Sequence, residues 1–170
     1  MNQDVVFMNE VPSLWRQEVW HALSVHLPIV TLLLSTVFCI LWLVTNTSNQ
    51  SFFKKSTVVM LIIGVIGAWI SIYSGEFAYD MAVRKICDPQ VLKDHMYWAY
   101  FAAYTYSGGL AALIIFEFFI TKSLVKYLLI LILIAGLGAL LYSGHLGASL
   151  VYNQGAGTYR PSGDCSEFVE

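Results

Sequence analysis

The sequence is 170 residues long, 58% apolar and only 12% charged, with a mean hydropathy of +0.67. That balance belongs to an integral membrane protein whose first partner is the lipid bilayer. A net charge of -2, with basic residues scattered rather than striped, excludes nucleic acid as a partner.

The first fourteen residues contain Asp4 and Glu10 and no positive n-region. They are not read as a cleavable signal, so the first span is expected to direct insertion. Four apolar segments follow, at about 19–44, 56–79, 94–120 and 123–150. Trp15, Arg16 and Trp20 suit the headgroup region before the first span. Lys54 and Lys55 precede the second, whose Gly64 and Gly67 let helix backbones approach closely. A loop with Arg84, Lys85, Cys87, Asp88 and Pro89 leads to the third, for which Asp94 is the expected N-cap. The fourth runs into a polar tail, 151–170, rich in Gly and Ser. Short connections force the helices to alternate, so the expectation is an all-α, up-down four-helix bundle forming one domain over 1–170. No solenoid-type repeat is visible.

Alternation places both termini and the loop between spans two and three on one side. The other side holds Lys54, Lys55, Lys122 and Lys126 in two short connections with no acid among them. Positive-inside reasoning puts those lysines in the cytoplasm and both termini in the periplasm. The localisation that follows is a multi-pass protein of the bacterial inner membrane. Cys39 falls inside span one as a small apolar residue. Cys87 and Cys165 fall on the outer side, an oxidising compartment, where a disulfide between them would tie the tail over the loop.

All four histidines approach the outer face. His21 and His26 lie at the outer end of span one, His95 at the start of span three and His145 near the end of span four. His26 lies about 7.5 Å deeper than His21 at the helical rise of about 1.5 Å per residue. Two tiers follow: His26 with His145, deeper, and His21 with His95, shallower. A cross-helix imidazole pair suits haem iron, since a bundle interior offers an apolar slot and aromatic walls. Trp98, Tyr100, Phe101, Tyr104, Tyr106, Tyr73, Phe77 and Tyr142 cluster near this end, and Gly108, Gly109, Gly144, Gly147 and Ala148 leave room for a planar ring. No Cys-x-x-Cys-His occurs, so any haem is non-covalent. The competing reading is a non-haem metal site that adds Glu76 and Asp80 to the imidazoles. The preferred roles of those carboxylates are to pair with Arg84 or to hold histidine Nδ1–H groups from outside the coordination sphere.

His21-Ala22-Leu23-Ser24-Val25-His26-Leu27-Pro28 resembles the H-P-x-x-V-H-F-P opening of an uncharacterised bacterial four-span membrane domain family, a domain of unknown function. Gly144-His145-Leu146-Gly147-Ala148-Ser149-Leu150-Val151-Tyr152 resembles its closing G-H-x-G-G-x-L-V-Y motif. Ala22 and Ala148 depart from the pattern, and both histidine positions keep it. The resemblance implies association with cytochrome c modules, because members of that family occur beside or fused to them. The expected function is therefore a b-type cytochrome subunit, an electron-transfer component rather than a stand-alone enzyme. It would carry one or two haems b. His26 and His145 are the expected axial ligands, and His21 and His95 are second-haem ligands or propionate partners. A periplasmic cytochrome c or a larger redox complex, or quinone, would exchange electrons with it. The alternative is a non-redox structural or sensor subunit whose histidines bind a metal ion or titrate.

Overall fold

The computed structural model describes residues 13–46, 48–119 and 123–158, with the backbone alone at 116–119 and 123–126. Among these residues there are helices and no strands. They are α1 (Gln17–Ser24), α2 (His26–Val44), α3 (Gln50–Ala82), α4 (Pro89–Phe119) and α5 (Ser123–Tyr152). Three stretches are long and apolar enough to cross a membrane: Gln17–Val44, which joins α1 to α2, then Gln50–Ala82 and Tyr127–Tyr152.

The division between α1 and α2 has a chemical cause in Pro28. Its ring lacks an N–H and crowds the carbonyl four residues back, at Ser24, and α1 ends there. Val25 between the two helices keeps helical angles, φ -67° and ψ -23°, so the chain bends rather than turns. The start of α4 corrects the sequence reading. Asp88, not Asp94, caps it: the Gln90 N–H donates to Asp88 Oδ1 at 2.9 Å, with Pro89 at the first helical position, where a missing N–H costs nothing. Asp94 lies within the helix and accepts from Gln90 Nε2 at 2.8 Å.

Inward-facing residues on α2 recur at Pro28, Thr31, Leu32, Ser35, Thr36, Cys39 and Trp42, a spacing of three and four that keeps one face toward its neighbours. Ile29, Val30, Val37 and Ile40 point outward. An apolar exterior of this kind is stable in lipid and a liability in water. Three threonine hydroxyls inside bond to their own helix: Thr31 donates to the Leu27 carbonyl at 2.8 Å, Thr36 to Leu32 at 3.0 Å and Thr57 to Phe53 at 2.9 Å. Cys39 sits in the core with Leu32, Trp42, Leu61, Val65, Tyr106, Leu113, Leu129 and Leu133.

Packing is heaviest between α2 and α3 and between α4 and α5, and much lighter between α3 and α4 and between α2 and α5. The bundle is thus two helical hairpins with thin seams, and α2 and α4 stand on its diagonal. Each hairpin closes on glycine in the same way. A Cβ on Gly64 would meet the Leu32 side chain at 2.4 Å, and one on Gly136 would meet the Tyr106 ring at 3.0 Å. About three turns further toward the other end of each hairpin, a Cβ on Gly75 would lie 2.9 Å from His21 Cε1, and one on Gly147 would lie 3.1 Å from His95 Cε1. His21 precedes Leu32 by the interval at which His95 precedes Tyr106, and the glycines keep that same interval. The hairpins are two copies of one design. Equivalent residues also touch across the diagonal: Tyr106 Oη donates to the Leu32 carbonyl at 3.4 Å, and the His21 and His95 rings are neighbours. An approximate two-fold axis therefore runs along the bundle between them.

At the histidine end, α5 stops in an αL cap. The Ala156 N–H donates to the Leu150 carbonyl at 2.9 Å and the Gly155 N–H to Val151 at 3.1 Å, with Gly155 at φ +71°, a conformation that favours a residue without Cβ. The motif lays Ala156 on a small apolar cluster of Ile86, Leu92 and Leu150. Gln154 Oε1 accepts from the Asp88 N–H at 2.8 Å.

Candidate functional site

Four histidines expected at one face divide into two that look inward and two that look outward. His21 and His95 meet across the diagonal, with ring centres 6.2 Å apart and planes at 80°. His26 and His145 are exposed. His26 Nδ1–H donates to the carbonyl of Ala22 on the preceding turn at 2.7 Å, and the His145 ring stacks on Tyr142, 6.5 Å away. Five residues separate His21 from His26, which turns the second ring about 140° from the first. The shallow tier is the one the fold brings together; the deeper tier, favoured as the axial pair from the sequence, faces away from the bundle axis.

The inward rings are held alike. His21 Nδ1–H donates to the Ser71 carbonyl at 3.0 Å, with Ser74 Oγ at 3.3 Å. His95 Nδ1–H donates to the Ser143 carbonyl at 2.9 Å, with Ser143 Oγ at 3.3 Å. Helical carbonyls are normally shielded by the side chain four residues on. Here that residue is Gly75 in one case and Gly147 in the other, so each carbonyl stays open to an imidazole. The repeated Ser-x-x-x-Gly is thus a local device for anchoring a ring. A carbonyl can only accept, so the proton sits on Nδ1 and the neutral ring keeps its lone pair on Nε2.

These anchors also relocate the outer support. Glu76 and Asp80, expected to hold Nδ1–H groups, do not do so. Glu76 Oε1 accepts from the Tyr100 hydroxyl, Asp80 is exposed, and serine carbonyls orient the rings. Ser71 Oγ is buried without a hydrogen-bond partner, whereas its equivalent, Ser143 Oγ, donates to the His95 carbonyl at 3.3 Å. An orphaned hydroxyl beside two imidazoles leaves a donor for a further group.

Glu18, one turn before His21, is a residue that sequence reasoning passed over. Its side chain is only 9% exposed and its Oε1 lies 3.4 Å from Lys85 Nζ. Its Oε2 is buried with no hydrogen-bond partner among the described residues. The one signal available was its place on the helix face of His21. Cys39 is buried and Cys87 is exposed, and among the described residues neither is in a disulfide; Cys165, the expected partner of Cys87, lies outside the described residues.

Chemically, the pair is suited to one ion held from opposite sides. Two metal–nitrogen bonds of about 2.0 Å, plus about 1.1 Å from each nitrogen to its ring centre, add to about 6.2 Å. The ring centres lie at 6.2 Å, edge to face at 80°. No group of three or more His, Cys, Asp or Glu side chains among the described residues could hold a metal ion. A centre here needs the rest of its coordination sphere from something other than such side chains.

The fold and this site define a helical membrane protein organised about a facing pair of anchored imidazoles. The chain belongs to the DUF2231 family, whose description is "predicted membrane protein", a domain of unknown function; the match covers residues 18–160. No curated protein and no solved structure matches it.

Proposed function

We propose that this protein is a four-span, b-type cytochrome subunit of the bacterial inner membrane, with α4 as the fourth span and both termini in the periplasm. His21 and His95 would hold the haem iron. The observation that carries this reading is their facing geometry, 6.2 Å between ring centres with each Nδ1–H anchored. A porphyrin supplies four equatorial nitrogens, so two protein ligands suffice. A non-haem site would need more donors than the described side chains bring together. When bound, the iron would supply one-electron chemistry. The chain's own part is to fix both tautomers, exclude lipid and water from the axis, and present the edge of the site near one membrane surface. A periplasmic cytochrome c or a larger redox complex is the corresponding electron partner.

A reduced-minus-oxidised absorption spectrum of protein made with ample haem tests the proposal. A low-spin b-type spectrum is expected, abolished or turned high-spin by His21→Ala or His95→Ala and preserved in His26→Ala and His145→Ala. A spectroscopically silent but folded wild type would remove the cytochrome reading. Loss confined to the His26 and His145 variants would return the ligand role to the deeper tier.

A further inference from the structure

At the end of the bundle away from the histidines, the thin seam between α3 and α4 opens into a groove of about 650 Å³, within the range of clefts that hold small molecules, roughly 300–1,000 Å³. Its α3 wall comes from positions 51, 54, 55, 58 and 59, a three-and-four spacing that sets them on one stripe of the helix. The stripe changes character along its length. Ser51, Lys54 and Lys55 form its first part, and Val58 and Val59 the next turn, opposite Leu113 and Ile114 of α4. From Ser51 to Val59 is about 12 Å, eight residues at about 1.5 Å each.

Each half of the groove constrains what can fill it. The helix α3 is long and apolar enough to cross a membrane, so its first turns stand at one membrane surface and Val58 and Val59 lie deeper. Val59 and Ile114 are exposed, so the apolar half is open sideways to lipid. The polar half carries two ammonium groups and no carboxylate among the described residues that line it. Lys54 is half-buried, with its Nζ 5.8 Å from the centre of the Trp42 ring on α2, close enough for the indole face to hold the cation at the rim. Lys55 is exposed beside it. Basic pockets between membrane helices suit anionic headgroups. Free inorganic phosphate would match the lysines and leave the apolar walls without a role, and a zwitterionic lipid would match the walls and leave the surplus charge without one. An acidic peptide would have to lay backbone polar groups against apolar walls open to lipid, where nothing pairs with them.

We propose that the α3/α4 groove binds one anionic phospholipid, its phosphate held by Lys54 and Lys55 with the Ser51 hydroxyl as a further donor, and an acyl chain lying along Val58, Val59, Leu113 and Ile114. The site is independent of the cytochrome reading. A lysine close to an anionic headgroup strengthens binding about fivefold, so two should favour phosphatidylglycerol over phosphatidylcholine roughly 25-fold.

Native mass spectrometry of the full chain, released from mild detergent that contains equal amounts of phosphatidylglycerol and phosphatidylcholine with matched chains, tests the site. One retained phosphatidylglycerol is expected, with the preference lost in the Lys54→Gln, Lys55→Gln double variant and unchanged in Lys93→Gln, whose lysine is exposed at the other end of the bundle. Val59→Trp keeps both lysines and fills the apolar half, and should lower retention of both lipids. Melting curves show which variants are folded; where the double lysine variant is not, undiminished phosphatidylglycerol retention in Val59→Trp overturns the groove. Equal retention of the two lipids by wild type overturns the anionic preference, and an equal loss in Lys93→Gln replaces the site with diffuse surface charge. Displacement of the lipid by millimolar inorganic phosphate, but not by chloride at the same ionic strength, overturns it in favour of a free-anion site.

Discussion

Glycine does different work at neighbouring positions of α5, and the difference is measurable. A Cβ at Gly75 or Gly147 would press on an imidazole at 2.9 or 3.1 Å, whereas Gly138 and Gly144 have nothing within 4 Å. Gly75→Ala and Gly147→Ala are therefore expected to displace a histidine from its serine carbonyl and destabilise by about 1–3 kcal/mol, the range for overpacking. Gly138→Ala and Gly144→Ala remove flexible helix residues at no steric cost and should be neutral, or stabilising by up to about 1 kcal/mol. Thermal unfolding in one detergent checks both pairs. A Gly144→Ala loss as large as that of Gly147→Ala would show that the outward His145 motif, not the inward one, is the constrained surface.

At the scale of elements, the ends of α5 and α4 are governed by local chemistry. Gly155→Ala places a Cβ at φ +71°, which costs roughly 1–2 kcal/mol, and that loss should fall on the αL cap. Faster amide exchange at Gly155 and Ala156, with α5 protection unchanged, is the expected outcome; uniform loss along α5 would contradict a local cap. Three of the four expected spans were legible, since Leu, Ile and Val runs between Lys54 and Tyr79, or Tyr127 and Tyr142, have one reading in a chain this apolar. The bend at Ser24 was legible from Pro28. The start of α4 was misplaced because Lys93 and Asp94 look like an interface, while the cap that acts, Asp88 before Pro89, lies in what reads as loop. Depth grouped His21 with His95, as the fold does, but could not say which tier turns inward. That depends on which way each ring turns and on glycines that uncover two serine carbonyls, and the Ser71-to-Gly75 and Ser143-to-Gly147 spacing was the sequence signal for it.

For the whole molecule, the testable property is orientation. Lys54 and Lys55 stand at the end opposite His21 and His95, the sequence's alternation assigns Lys122 and Lys126 to the same side, and positive residues favour the cytoplasmic side. A periplasm-active reporter fused after Glu170 should be active and a cytoplasmic reporter silent. The reverse would place the histidines at the inner face and remove a periplasmic electron partner.

The thin seams give the bundle a direction in which it can part. Three of its four sides are crossed by the chain itself, at 45–49, 83–88 and 120–122; the side between α2 and α5 has no covalent link. The molecule is hinged like a book, with residues 83–88 as the spine and α2 and α5 as the fore-edge. Near that fore-edge sits the turn after α5, where a Cβ on Gly157 would lie 3.6 Å from Glu18, a latch made of six residues after Tyr152. A flat, rigid guest destined for the space between His21 and His95 would come in from the fore-edge, and the Gly155→Ala protein, with its latch loosened, should load haem faster than the parent without gaining a ligand.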